Sequence, residues 1–114
     1  MMRKKVRWAR SARRDLESIV NFLVERSPQA ALSTLDQLEA RAKSLGTLAD
    51  RGRIVPELGR LHIREYRELI VGPYRLIYRV RGSSVLVLAA VDGRRSLEDI
   101  LLERLISIEG QEAE

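Results

Sequence analysis

Arg75 and Arg79 lie four residues apart in Gly72-Pro73-Tyr74-Arg75-Leu76-Ile77-Tyr78-Arg79-Val80. Arg94 and Arg95 follow the next apolar run, Val85 to Val91. Alternation along a strand puts Arg75, Ile77, Arg79 and Arg81 on one face, and Tyr74, Leu76, Tyr78 and Val80 on the other. Guanidinium groups gathered around two neighbouring strands suit a polyanion or an acidic partner protein, because each offers a planar fork of donors to phosphate or carboxylate. The alternative for Arg75 and Arg79 is ion pairing with Glu65 and Glu68 across neighbouring strands. Arg94 and Arg95 precede a helix start at Ser96. Cations there oppose the helix dipole, so a helix N-terminus with two arginines reads as an anion site. A salt bridge to Asp92 or Glu98 is the competing reading.

Other chemistries are excluded by what is missing. The chain has no cysteine, hence no disulfide, thiol catalysis or cysteine metal site, and its one histidine, His62, makes no cluster. No metal or cofactor is expected. Apolar residues make up 45% and charged residues 32%, a globular composition. No apolar run approaches the roughly 20 residues of a membrane helix, and no apolar segment follows the basic start Arg3-Lys4-Lys5. A cytoplasmic protein is expected, with no membrane partner.

Net charge is +5 and the pI is about 10.2. Eighteen of the 21 basic residues are arginine. Residues 1–14 hold seven bases and no acid; residues 51–81 hold eight arginines and three glutamates. At 114 residues the chain predicts one domain, over 1–108, followed by an acidic tail over 109–114.

The elements that must position these residues follow from periodicity. Lys5–Trp8 alternates as a half-buried strand. Ala12, Leu16, Ile19, Val20 and Leu23 form one helical stripe; Ala31, Leu35, Leu38, Ala42, Leu45 and Leu48 form a second. Ser27-Pro28 caps and starts the second helix. Asp15 and Glu17 read as helix N-terminal charges, Trp8 as core, His62 as surface. Arg53–Pro56 is short and extended. Leu61–Val71 alternates imperfectly, as a strand with a bulge does. Gly72-Pro73 and Gly82-Ser83-Ser84 are turns around the strand Tyr74–Arg81. Val85–Val91, apolar on both faces, is a central strand. Ser96 with Asp99 starts a last helix with the stripe Leu97, Ile100, Leu101, Leu105 and Ile108. The fold class is α+β: an N-terminal strand, an antiparallel two-helix hairpin, a three-to-four-stranded antiparallel sheet and a C-terminal helix. Helices pack on one face. The other is left available, and Arg75 and Arg79 point into it.

The ordered pieces resemble the RelE/ParE superfamily of bacterial type II toxins. They are Val6-Arg7-Trp8 before Ala12 and Asp15-Leu16; Ser27-Pro28-Gln29-Ala30-Ala31; Gly52-Arg53-Ile54-Val55-Pro56-Glu57; Ile63-Arg64-Glu65; Gly72 to Val80; and Gly93-Arg94-Arg95. They run in the family's order over about residues 5 to 105. The resemblance implies a toxin neutralised by a cognate antitoxin, acidic and partly disordered, in a hetero-oligomer.

Two branches imply different chemistry. RelE-like members resemble ribosome-dependent, metal-independent mRNA endonucleases, which need a base, an acid and a cation for the phosphate. On that branch Arg75 and Arg94 match the family's arginines, Glu65 or Glu68 serves as base, and Tyr74 or Tyr78 as acid. The family's His-Tyr pair is replaced by Asp92-Gly93, its late tyrosine by Ile100, and its lysines have no counterpart. ParE-like members resemble non-enzymatic inhibitors of DNA gyrase. The long hairpin, Ile63-Arg64-Glu65 and Gly93-Arg94-Arg95 fit this branch better. Arg64, Arg75, Arg79, Arg94 and Arg95 are then the anion- or target-binding set, and plasmid stabilisation and growth arrest the expected roles. A relative that only binds its antitoxin is the third reading.

Overall fold

The structure, a computed structural model, describes residues 3–94, 97, 98 and 104. β1 (Lys5–Trp8) exposes Lys5 and Arg7 and packs Val6 and Trp8 against the core, as its alternation predicts. The helical hairpin follows as α1 (Arg10–Val24) and α2 (Pro28–Ser44). Ser27 Oγ accepts the Ala30 N–H at 3.1 Å, which satisfies an otherwise orphan donor, and Pro28 sits where a missing N–H costs nothing. Ala31, Leu38, Ala42 and Leu45 are buried along the expected stripe. Leu48 departs from it: α2 ends at Ser44, and Leu48 beyond it is 52% exposed.

The second half supplies β2 (Arg53–Ile54), the single-turn helix α3 (Pro56–Gly59), β3 (Tyr66–Val71), β4 (Tyr74–Arg81) and β5 (Ser84–Asp92). Gly72 and Gly82 take φ of 62° and 58°, which lets each start a two-residue turn between antiparallel strands. The sheet order is β1-β5-β4-β3-β2. β2 to β5 are the expected four antiparallel strands, and β1, the expected N-terminal strand, joins them as a fifth, parallel to β5. Tight hairpins make β3–β4 and β4–β5 antiparallel, whereas the whole run from α1 to β4 separates β1 from β5 and leaves that pair free of the constraint.

The stretch Leu61–Val71 differs from expectation, since β3 begins only at Tyr66. Residues 56–63 form α3 and its exit instead. His62 N–H donates to Gly59 C=O at 3.0 Å and Ile63 N–H to Leu58 C=O at 2.9 Å, with His62 at a φ of 63°. This is a Schellman ending with histidine in glycine's usual place. The ladder irregularity lies between β4 and β5, where Leu88 is the extra residue between the Ile77–Ala89 and Tyr78–Val87 pairs.

The registers define two faces. Tyr78, fully buried, donates its hydroxyl hydrogen to Ala49 C=O at 2.7 Å and accepts the Gly52 N–H at 3.0 Å, both just beyond α2. Tyr74, Leu76, Tyr78 and Val80 therefore face the helices. Arg75, Ile77, Arg79 and Arg81 share the far face with Tyr66, Glu68 and Ile70 of β3. That face is not left open along its length, because α3 lies over it. Leu97, Glu98 and Arg104 are helical. The Ser96–Asp99 capping box and the stripe positions Ile100, Leu101, Leu105 and Ile108 fall outside the described residues.

Candidate functional site

Arg75 is the centre of a closed charge network on the far face. Its Nη1 and Nη2 donate to the two carboxylate oxygens of Glu57 at 2.9 and 2.7 Å. Its Nε and Nη2 both lie 2.7 Å from Glu68 Oε1. Arg53 Nε takes the other oxygen of Glu68 at 2.7 Å. The register explains the meeting. Glu68 pairs with Arg53 on one side and Ile77 on the other, one diagonal step from Arg75. Glu57 arrives from α3.

Burial sharpens the electrostatics. The Glu68 side chain is fully buried and that of Arg75 is 10% exposed. The Arg75 hydrogen bonds hold the Glu57 carboxyl below the usual carboxylate range, against the opposing effect of burial. Reciprocally, the Glu57 contact raises the Arg75 pKa. Two cations and two anions close on one another. An arginine with all three nitrogens committed to carboxylates can take a phosphate only by breaking this network.

Arg79 is also largely buried on the far face, with its guanidinium 5.8 Å from the centre of the Tyr66 ring. Arg64 and Glu65 are exposed in the approach to β3. Of the two glutamates that the sequence offers Arg75 and Arg79, the structure brings Glu68 to Arg75 and leaves Glu65 outside this network.

Tyr74 and Arg94 belong to the other face. Arg94, exposed, folds back on Asp92: its Nε and Nη2 lie 3.0 and 2.6 Å from the carboxylate, and its backbone N–H donates to the same group at 3.0 Å. Asp92 raises the Arg94 pKa, while burial first and Asp92 second raise that of the Tyr74 hydroxyl. Arg94 thus stands on the opposite side of the sheet from Arg75, and the two do not converge on one phosphate. Arg95 falls outside the described residues.

Tyr74, Asp92 and Arg94 line a groove of about 590 Å³ with Asp15, Ile19 and Phe22 of α1 and with Arg104. Asp15 is a residue whose role the sequence did not reveal. α1 starts at Arg10, so neither Asp15 nor Glu17 is a first-turn charge. Asp15 instead accepts the Ala90 N–H at 3.0 Å and a two-pronged contact from Arg104 at 2.6 and 2.9 Å. It takes the place of a neighbouring strand where β1 has ended. An acid amid an apolar helical stripe was the available signal.

The family described as ParE toxin of the type II toxin–antitoxin system, parDE, matches residues 6–97. The chain belongs to this ParE toxin family. Two solved structures are similar to the ParE-family fold seen here. One is a chromosomal ParDE toxin–antitoxin system from P. aeruginosa: 24% identity over 78% of this chain and 95% of that one, TM-score 0.64. The other is the toxin–antitoxin complex RelBE2 from Mycobacterium tuberculosis: 22% identity over 81% and 93%, TM-score 0.56. No curated protein sequence matches. In this ParE-family chain the tyrosine-arginine strand thus anchors a buried ion network.

A second groove, about 300 Å³, lies along the helical hairpin of the ParE-family fold. Leu16 and Val20 of α1 and Leu35 of α2 form its apolar floor, with Arg13 and Glu17 at its margin. Those three apolar residues are only half-buried, so the hairpin stripe is incompletely covered. Among the described residues no helix is long and apolar enough to cross a membrane.

Proposed function

We propose that this type II toxin acts by binding DNA gyrase rather than by cleaving RNA. The observation that carries this reading is the clamping of Arg75 between Glu57 and Glu68. A nuclease needs that guanidinium turned to the scissile phosphate, with an acid and a base beside it. Here its donors are spent on carboxylates, Tyr78 is locked to Ala49 and Gly52, and Arg94 stands on the opposite face. An arginine stays protonated and cannot itself serve as base.

The neutralising partner is a cognate antitoxin. Its segment is acidic and folds on binding, laying an amphipathic element into the Leu16–Val20–Leu35 groove. Opposite charge speeds that encounter with a +5 chain. The result is an inactive toxin–antitoxin hetero-oligomer in the cytoplasm, where growth arrest on loss of antitoxin would maintain a plasmid.

Expression without the antitoxin tests the reading. Gyrase trapping induces the DNA-damage response while translation continues at first. Immediate translation arrest with new mRNA ends would establish the ribosome-dependent endonuclease instead, and growth without arrest a relative that only binds its antitoxin.

A further inference from the structure

One edge of the sheet carries a row of cations that neither the Arg75 network nor the grooves use. β1 is the edge strand, next to β5. Val6 and Trp8 pack against the core, so Lys5 and Arg7 project from the face turned from the helices. α1 continues along the same edge. Ser11 Oγ donates to Leu88 C=O at 3.2 Å and Asp15 accepts the Ala90 N–H at 3.0 Å, so one side of α1 follows β5 where β1 has ended. Successive helical residues are about 100° apart around the axis. Ala12 and Leu16, one residue after Ser11 and Asp15, turn toward the core. Arg10 and Arg14, one residue before them, turn the other way, to the side from which Lys5 and Arg7 project.

Lys5, Arg7, Arg10 and Arg14 thus form one row, roughly 20 Å long by the rise of a strand and a helix. All four are exposed. Among the described residues none of these four side chains has a hydrogen bond, ion pair or ring contact. Residues 3–14 contain no acid, and neither do residues 84–91 of the adjoining β5. The Asp15 carboxylate beside the row is committed to Ala90 and Arg104. Glu17, further along α1, stands with Arg13 at the margin of the helical groove. Arg79 and Arg81 of β4 have partners of their own and are no part of the row.

We propose that this edge binds the phosphate backbone of duplex DNA without reading sequence. A row of unpaired cations matches a ligand whose negative charge repeats along its length, and about 20 Å of duplex presents about six phosphates on one strand. Three of the four are arginines, whose forked donors suit phosphate. Other anionic partners need features that the row lacks. Single strands are held by aromatic rings on which bases stack, and Trp8, the aromatic residue of this segment, is turned to the core. Duplex RNA is recognised in part through its 2′-hydroxyls, and the Ser11 hydroxyl beside the row is spent on Leu88. A membrane surface or an acidic protein calls for exposed apolar side chains among the cations, whereas Val6 and Trp8 pack inward. Binding at this edge does not depend on which enzyme the toxin inhibits.

Fluorescence anisotropy of the full chain with labelled random-sequence duplex DNA, over a salt series, tests this. Duplex RNA, single-stranded DNA and polyglutamate serve as comparison probes. The row variant is Lys5→Gln/Arg7→Gln/Arg10→Gln/Arg14→Gln, and a charge-matched control away from the edge is Arg26→Gln/Lys43→Gln/Arg51→Gln/Arg60→Gln. All eight positions are exposed, and far-UV spectra check folding. The row variant is expected to weaken DNA binding about tenfold or more and to reduce the log–log salt slope by about 3 to 4, roughly 0.9 for each phosphate left without its cation. The control should change the slope by less than about 1. Each half of the row, Lys5→Gln/Arg7→Gln or Arg10→Gln/Arg14→Gln, should reduce the slope by about 2, which decides the matter where the fourfold variant fails to fold. Duplex DNA should be the tightest of the four probes. Equal losses in the row variant and the control, unchanged slopes in both half-row variants, or tighter binding of any comparison probe would overturn the proposal.

Discussion

Arg75 and Glu57, eighteen residues apart in sequence, meet through two hydrogen bonds of 2.9 and 2.7 Å. This contact ties α3 to the middle of the sheet, and Glu68 extends it to β2 through Arg53. Arg75 is thereby a fastener among β4, β3 and α3. That placement yields predictions that differ from those for an arginine poised on a substrate.

Arg75→Ala removes the cation and leaves the fully buried Glu68 side chain with Arg53, which is 62% exposed, as its remaining charged partner in the network. Breaking a buried ion pair in this way costs about 3–5 kcal/mol. Urea unfolding should show a correspondingly lower midpoint. Arg75→Lys should recover little, since a point charge cannot span both carboxylates. Native stability in Arg75→Ala would show that the network is not a structural fastener.

Glu57 links the network to pH. Its folded pKa lies below the ordinary value, so the native state favours the ionised carboxylate. Its contribution is fully present above the unfolded pKa of about 4.3 and is lost as pH falls through the lower folded value. Thermal scans should therefore show a loss of stability below about pH 5 that Glu57→Gln makes shallower, with little difference in slope between the two proteins near neutrality. Parallel acid profiles for the two would contradict the assignment.

Tyr78→Phe tests the helix-side counterpart. The hydroxyl bridges Ala49 C=O and Gly52 N–H inside the core, and its loss leaves two buried backbone groups unsatisfied. The expected cost is about 1–3 kcal/mol in chemical unfolding. Gly52→Ala should be at least as harmful, because a Cβ there would stand 2.6 Å from both Tyr78 Oη and Glu68 O. An unchanged midpoint in both variants would contradict this bridge.

Local signals carried most of the fold. Ser27-Pro28 marked a helix start, Gly72 and Gly82 marked turns, and alternation along β4 assigned Tyr78 to the core and Arg75 to the opposite face. What could not be read locally was long-range. Nothing near Lys5–Trp8 encodes parallel pairing with β5, and the exit from α3 takes the first residues of Leu61–Val71, whose apolar residues resemble a strand. The site shows the same division. Glu68 was within reach as a cross-strand neighbour of Arg75, but Glu57 comes from an element that only the tertiary fold brings near. Asp15 was misplaced for a related reason: its partners, Ala90 and Arg104, lie 75 and 89 residues away.

Gyrase supercoiling in the presence of the purified full chain tests the central claim most directly. Titrating the chain into the reaction should abolish supercoiling and accumulate gyrase-bound, cleaved DNA, and the cognate antitoxin should restore activity. Full supercoiling at every concentration, together with cleavage of translated mRNA by the same preparation, would contradict the account.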